Sequence, residues 1–370
     1  MDEARKALPH APAAGARVSA ALLAAVLLLA GCSRDGDGAG GGNTGAGATI
    51  GQRPEASAPF WVDPDSRAAR QVAAYAEAGR EGDAERIRRI AEQPTGEWIG
   101  PENPEQEARG FTEAARKAGR TALLVLYDIP HRDCGRYSRG GAADGDGYRA
   151  WVDGVARGIG DRAATVVLEP DAVLHLVDGC TPEEFQEERY DLLRGAVATL
   201  KALKNTKVYL DAGNAGWGHP DQIFEPLRRA GVDRADGFAV NVSNFYSTQD
   251  SLAYGERLSE KVGGKHFVID TSRNGNGPYT QGDSDERWCN PPGRALGEAP
   301  TTRTADPLVD AYLWVKRPGE SDGTCRGGPK AGDWWAEYAL ALAAAGGQPR
   351  PASVRDTGSR TRGPLRDARS

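Results

Sequence analysis

Apolar and polar positions fall along this chain in blocks with two different periods. Short runs rich in Val, Leu and Ile stand at Ala122–Tyr127, Ala164–Leu168, Lys207–Leu210, Gly237–Val240, His266–Ile269 and Tyr312–Val315. Segments with helical spacing lie around them, at Ser66–Ala78, Ala84–Glu92, Glu105–Ala118, Tyr148–Gly158, Pro182–Leu203, Pro220–Ala230, Ser251–Val262 and Asp333–Ala345. Strands that are apolar on both faces and separated by helices predict a parallel sheet with helices packed over it. A barrel and an open doubly wound sheet both satisfy that pattern. No GxGxxG motif follows the first strand, so nothing points to a dinucleotide fold, and an α/β barrel in a single domain is expected.

The polar positions carry the functional signal. The six strand segments are followed or ended by Asp128, Glu169, Asp211, Asn241, Asp270 and Lys316. Any one of these could merely stop a strand or cap the next helix. Six in succession is different, because residues just past the C-terminal ends of barrel strands gather on one face. Four stretches, Leu123–Asp133, Val166–Asp171, Val208–Asp211 and Leu313–Asp322, run an apolar segment straight into acids and predict a carboxylate-lined cleft. Clustered carboxylates raise one another's pKa, and proteins keep them for acid/base chemistry or for metals.

The ends of the chain read differently from its middle. Arg5, Lys6 and Arg17 precede the apolar run Val18–Ala30, too short for a stable bilayer span and typical of a signal-peptide core. The run ends in Leu29-Ala30-Gly31-Cys32, which resembles a bacterial lipobox; residues 1–31 are therefore expected to be a lipoprotein signal peptide, with Cys32 lipidated. The expected location is extracellular, anchored to the cell membrane through that lipid. Residues 32–57 are Gly-rich and read as a flexible tether, and 348–370, with six Arg against two Asp, as a disordered basic tail. The segment between them, 58–347, is the expected catalytic domain. A net charge of −6 over 370 residues is too mild to suggest a nucleic-acid partner.

Five cysteines are an odd number for an exported chain. Assigning Cys32 to lipid leaves Cys134, Cys180, Cys289 and Cys325, an even set for an oxidising compartment, with three pairings open. Scattered His and the lack of a CxxC pair argue against a zinc site, so no metal or other cofactor is expected.

Together the motifs resemble glycoside hydrolase family 6, the inverting β-1,4-glucanases and cellobiohydrolases. The likeness is carried by Tyr127-Asp-Ile-Pro-His-Arg-Asp-Cys134, Leu168-Glu-Pro-Asp171, Leu210-Asp-Ala-Gly-Asn-Ala-Gly-Trp217, Asn241-Val-Ser-Asn244, Ile269-Asp-Thr-Ser-Arg-Asn-Gly-Asn-Gly277, Trp288-Cys289-Asn290 and Trp314-Val-Lys-Arg-Pro-Gly-Glu-Ser-Asp322. It implies a distorted β/α barrel and disulfides 134–180 and 289–325. Loops of that size are worth about 4 kcal/mol each in the chain-entropy model.

Inverting hydrolysis needs a carboxylic acid to protonate the departing oxygen and a second group to activate water on the opposite face of the sugar. By resemblance Asp171 is the acid, Asp133 its pKa-raising neighbour that helps organise the water, and Asp322 the base, directly or through a water chain. Asp211 lines the cleft, and Tyr127 crowds the sugar at the cleavage point. Lys316, Glu320, Asn244 and Asn214 fall on substrate-binding positions. Trp98, Trp217 and Trp288 match the aromatic platforms that a glucan's flat C–H faces require. Trp151, Trp334 and Trp335 lie on helical segments and are read as core.

Two departures stand out. Asn214 replaces a His usual in the family, which predicts weaker substrate binding. Arg139 stands where a Ser usually holds the catalytic water, with Ser138 beside it; an Arg so close to Asp133 is expected to lower that carboxylate's pKa. Only Thr324 separates Gly323 from Cys325, where the family's cellobiohydrolases carry a long insertion. The cleft roof is therefore expected to be short and cleavage internal. The expected substrate is a β-glucan polysaccharide such as cellulose, acted on by a monomer. The rival readings are a cell-surface glycan-binding lipoprotein without catalysis, opposed by the four intact carboxylates, and a transporter's substrate-binding lipoprotein, suggested by the lipobox and tether.

Overall fold

Seven parallel strands pair in simple chain order in the computed structural model, which describes residues 59–283 and 286–345. They are β1 (Glu97–Ile99), β2 (Ala122–Leu126), β3 (Ala164–Leu168), β4 (Thr206–Asp211), β5 (Gly237–Val240), β6 (His266–Asp270) and β7 (Val309–Leu313). Helices α1 (Arg67–Glu77), α2 (Glu81–Ala91), α3 (Pro104–Lys117), α4 (Gly145–Ile159), α5 (Leu174–Val177), α6 (Glu183–Lys201), α7 (Pro220–Arg229), α8 (Thr248–Lys261) and α9 (Ala336–Ala344) complete the framework. Several start where short polar side chains cap them: Ser66, Asp144 and Ser247 accept from the backbone N–H three residues on.

The sheet curls into a distorted half-barrel whose two faces bury different sets of residues. Leu124, Leu126, Val166, Leu168, Val208, Leu210, Phe238 and Ile269 face outward and share one core with helix residues such as Val152, Leu193, Leu227 and Leu258. Leu123, Val125, Val167, Tyr209, Ala239, Val268, Ala311 and Leu313 fill the interior. Each fully buried aliphatic side chain contributes about 1.5–3 kcal/mol, so both faces hold the sheet in register. β1 and β7 share no ladder. At the C-terminal mouth, however, the Gly96 N–H donates to Trp314 O at 2.9 Å and Trp98 Nε1 donates to Val315 O at 3.0 Å. A Cβ at Gly96 would stand 2.7 Å from Val315 O, so only glycine lets the two edges approach.

The six expected strands are present, with two differences. β1 was not expected, because three residues containing a Glu and paired on one side only carry no period. β7 spans Val309–Leu313 rather than Tyr312–Val315. Asp310 interrupts its apolar run, and its carboxylate accepts from the Tyr209 hydroxyl and bonds His266 Nδ1 at 2.8 Å. Short α5 was also missed. Helix α9 begins at Ala336, so Trp334 and Trp335 precede it instead of lying on it; both pack, partly buried, against the α1–α2–α9 cluster. Trp151 is buried on α4, with Nε1 donating to Gly100 O at 2.9 Å. The signal peptide, Cys32, the tether and the basic tail lie outside the described residues. No described helix is long and apolar enough to cross a membrane.

Candidate active site

The inward parity of the strands runs to their last residues or one residue past them. Tyr127, Glu169, Asp211, Asn241 and Asp270 share it with Val125, Val167, Tyr209, Ala239 and Val268, so all five point to the mouth of the half-barrel. The backbone there is contorted: Asp133, Glu169, Asp171, Asn241 and Ser243 have φ of 57°, 50°, 69°, 65° and 55°. Non-glycine residues in that region cost about 1–3 kcal/mol each and cluster where function dictates geometry.

Three of the strand-end polar residues hold loops instead of lining the cleft. Glu169 is fully buried and accepts from the N–H groups of Asp128 and Ile129, both at 3.1 Å; burial pushes its pKa up to about 7. Asp270 accepts from the backbone of Ser243, Ser272 and Lys316 at 2.9–3.1 Å. Asn241 Nδ2 donates to the carbonyls of Asp270 and Tyr246 at 2.9 and 3.1 Å. Asp128 is buried beside Arg132, its carboxyl raised by burial to about 6.

Asp171 lies among other carboxylates of the mouth. Burial, then the charges of Asp211, Asp133 and Asp178, hold its pKa well above the ordinary range. Its own N–H donates to Asp211 Oδ2 at 2.8 Å. Asp211 is only 1 % exposed, lies against Asp171 rather than open to the cleft, and is raised by burial to about 7. Burial also raises Asp133, against the Ser138 N–H bonded to it and the charges of His175, Arg136 and Arg132. Tyr127 stands near Asp171 and Asp133, and burial together with those carboxylates keeps its phenol protonated.

Contrary to expectation, Arg139 is not among the charges that act on Asp133. Its side chain is exposed, and the charges acting on Asp133 are those of His175, Arg136 and Arg132. The reason is the tight turn Asp133–Gly135, which returns the Ser138 N–H to the carboxylate and sends residue 139 outward. Asp133 accordingly sits above, not below, its ordinary pKa.

Asp322 has the opposite environment. Both carboxylate oxygens accept from Arg273 Nη1, at 2.9 and 2.8 Å, the Asn290 N–H donates at 3.0 Å, and Lys316 Nζ lies at 3.4 Å. Burial alone would raise its pKa, but the Arg273 and Lys316 charges outweigh it, and the group is held below the ordinary carboxylate range. Lys316, buried next to a second cation, is itself pushed down. Glu320 is buried and paired with Arg317 at 3.1 Å and Arg67 at 3.6 Å.

The aromatic positions ring this mouth, each half-buried: Trp98 edge-on to Tyr127, Trp217 to His175 and Trp288 to Tyr137. Asn214 is only 4 % exposed, its Oδ1 accepting from the Gly216 N–H at 3.0 Å. Asn244 is half-buried, its Oδ1 accepting from the Phe245 N–H at 3.0 Å. Cys134 pairs with Cys180 and Cys289 with Cys325, at Cα separations of 5.7 and 6.3 Å. The first ties the loop of Asp133 to the segment after Asp171, and the second joins the loops of Asn290 and Asp322.

The sequence model of Glycosyl hydrolases family 6 matches residues 55–346. The chain belongs to this family. It is 45% identical over 294 residues to Endoglucanase A of Cellulomonas fimi and 42% over 272 residues to Endoglucanase A of Thermobispora bispora, covering 78% and 72% of this chain. It spans 62% and 58% of the length of those two relatives. Among solved structures, the endoglucanase Cel6 from Mycobacterium tuberculosis aligns with a TM-score of 0.73 at 45% identity, over 78% of this chain and 98% of that one.

This family 6 site also contains residues the sequence reading did not single out. Arg273 is fully buried inside the Ile269–Gly277 motif; a lone Arg among small residues after a strand was the available signal. Arg189 on α6 donates to Pro130 O at 2.8 Å, His131 O at 3.1 Å and Ala172 O at 3.4 Å, lashing the Asp133 loop to the Asp171 turn. Arg132 lies 4.7 Å over the Tyr127 ring and donates to Ser138 O at 2.9 Å. His175, buried between Trp217 and Asp178, follows Asp171 by one helical turn. Nothing in the local pattern marks these last three, because their partners are remote in sequence or set by the loop's path.

Proposed function

We propose that this chain hydrolyses internal β-1,4-glucosidic bonds of cellulose-like β-glucan with inversion of the anomeric centre. The observation that carries the reading is the opposed environments of two carboxyls at one mouth. Burial and neighbouring carboxylates hold the pKa of Asp171 well above the ordinary range, while Arg273 and Lys316 hold that of Asp322 below it. Environments that push two carboxyls apart in this way mark the acid and its counterpart in general acid/base catalysis. Asp171 gives its proton to the departing sugar oxygen. The new bond forms between water oxygen and the anomeric carbon as that carbon's bond to the leaving oxygen breaks, and the water's proton passes toward Asp322. Asp322 is tightly paired and so a weak base, which favours a relay through water and Asp133, whose raised pKa suits it to pass a proton on. Tyr127 bounds the reacting sugar from the side of Asp171 and Asp133. The names of the relatives support endo action, as does the single residue between Gly323 and Cys325.

The test is the product itself. Proton NMR during hydrolysis of a soluble β-glucan should show the α-anomer first, and viscosity should fall faster than reducing ends appear. Initial release of the β-anomer would overturn inversion, and a viscosity that tracks reducing ends would overturn internal cleavage. Anchoring outside the membrane through Cys32 belongs to the same proposal, supported by Leu29-Ala30-Gly31-Cys32. Mass spectrometry of the mature N-terminus should find a diacylglyceryl group on Cys32; an unmodified N-terminus elsewhere would overturn it.

A further inference from the structure

The turn that presents Trp217 contains a glycine whose place no larger residue could take without displacing a neighbour. A Cβ on Gly216 would stand 1.6 Å from the Tyr246 hydroxyl oxygen and 2.1 Å from its Cζ, so the phenol lies directly against this turn. Gly216 is exposed and Tyr246 half-buried, which places the contact at the surface of the fold and not in its core. Tyr246 comes from the loop between β5 and α8, and its backbone is pinned. Its N–H donates to Asn241 Oδ1 at 3.1 Å, and its carbonyl accepts from Asn241 Nδ2 and Asn274 Nδ2, both at 3.1 Å. The hydroxyl itself has no hydrogen-bond partner among the described residues. Arg287 is the cation that acts on the phenol, and Arg287 adjoins Trp288 in the chain. Tyr246 therefore stands against the turn of the Trp217 platform, with a pinned backbone and an unused donor.

A sugar stacked on an aromatic platform presents its hydroxyls at the ring edge, where a fixed phenol can both donate and accept. Asn214, the residue of this turn expected to meet substrate, turns its side-chain oxygen back onto the Gly216 N–H. We propose that Tyr246 is a substrate-binding and specificity-determining residue whose hydroxyl hydrogen-bonds a ring hydroxyl of the sugar unit carried by Trp217. Gly216 is the residue that lets the phenol reach that position. This inference rests on the β-glucan hydrolase reading.

Tyr246→Phe keeps the ring and removes only the hydroxyl. The loss of one neutral hydrogen bond should raise KM for soluble β-1,4-glucan about three- to tenfold, leaving kcat within about twofold and the melting temperature unchanged. Retardation of the full chain in a gel containing the same glucan should weaken by a similar factor, a readout that does not depend on turnover. Tyr246→Ala, which also removes the ring from Gly216, should weaken binding further. If the wild type binds and cleaves the glucan while Tyr246→Phe matches it in KM and retardation, this inference is overturned and the functional reading stands. If the wild type neither binds nor cleaves it, the functional reading falls first.

Discussion

Asp171→Asn is expected to lower turnover of polymeric glucan by a factor of about 10²–10⁴, the usual worth of a positioned general acid. The departing sugar alkoxide must be protonated as the bond breaks, and an amide cannot supply the proton. A substrate with an acidic phenol as leaving group needs less help and should retain far more activity. The alkaline limb of the wild-type pH profile, where Asp171 ionises, should disappear in the variant. Stability should move the other way. The folded-state pKa of Asp171 is raised, chiefly by burial and then by Asp211, so its contribution is fully present below the unfolded carboxyl pKa and is lost as pH rises toward the folded one. Asn carries no such penalty, and the variant should melt higher than wild type at neutral pH, the difference closing in acid. Wild-type turnover of polymer by Asp171→Asn would show that the acid lies elsewhere; a melting difference that fails to grow with pH would show that Asp171 is not held protonated.

Arg273→Met should cost about 3–5 kcal/mol of stability, because it leaves a buried carboxylate facing only the partial compensation of Lys316. Arg273 is fully buried, and its Nη2 donates to Ser243 O while Nη1 serves Asp322. With that charge gone, burial dominates at Asp322 and its pKa rises. The acidic limb of the activity profile should therefore move to higher pH. In the wild type the depressed pKa of Asp322 contributes stability above the unfolded carboxyl pKa that is lost as pH falls through the folded one. The deficit of the variant should consequently be largest near neutrality and narrow in acid. Adding Asp322→Asn should restore part of the stability and none of the activity, since the unpaired charge and not the missing side chain is the main cost. Urea melts and pH–rate profiles of the three proteins check this. Equal midpoints for wild type and Arg273→Met would show that the pair is not buried as described.

These two residues differ in how visible they were beforehand. Asp171 follows Val166–Leu168 in a motif that marks it as an acid at a strand end, whereas Arg273 acquires meaning only from Asp322, 49 residues away. Arg139 shows the opposite error. It stands six residues after Asp133, but a tight turn with Cys134 at a φ of 48° sends its side chain to solvent. Adjacency in sequence does not set distance when successive left-handed residues redirect the chain.

What the amino-acid sequence alone determined was the parallel α/β architecture, since doubly apolar strands between amphipathic helices can bury their faces in few other ways. It also determined the gathering of strand-end polar residues on one face, because side chains alternate with a period of two. Only the tertiary structure decided which of those residues are free to react. Glu169, Asn241, Asp270 and Asp211 all occupy inward positions, yet their partners are backbone groups of neighbouring loops, and nothing local records that. The protonation of Asp171 and the charge of Asp322 were likewise set by burial and by groups brought from distant loops. A pKa depends on desolvation and on charges within a few ångströms, and both exist only once the chain has folded.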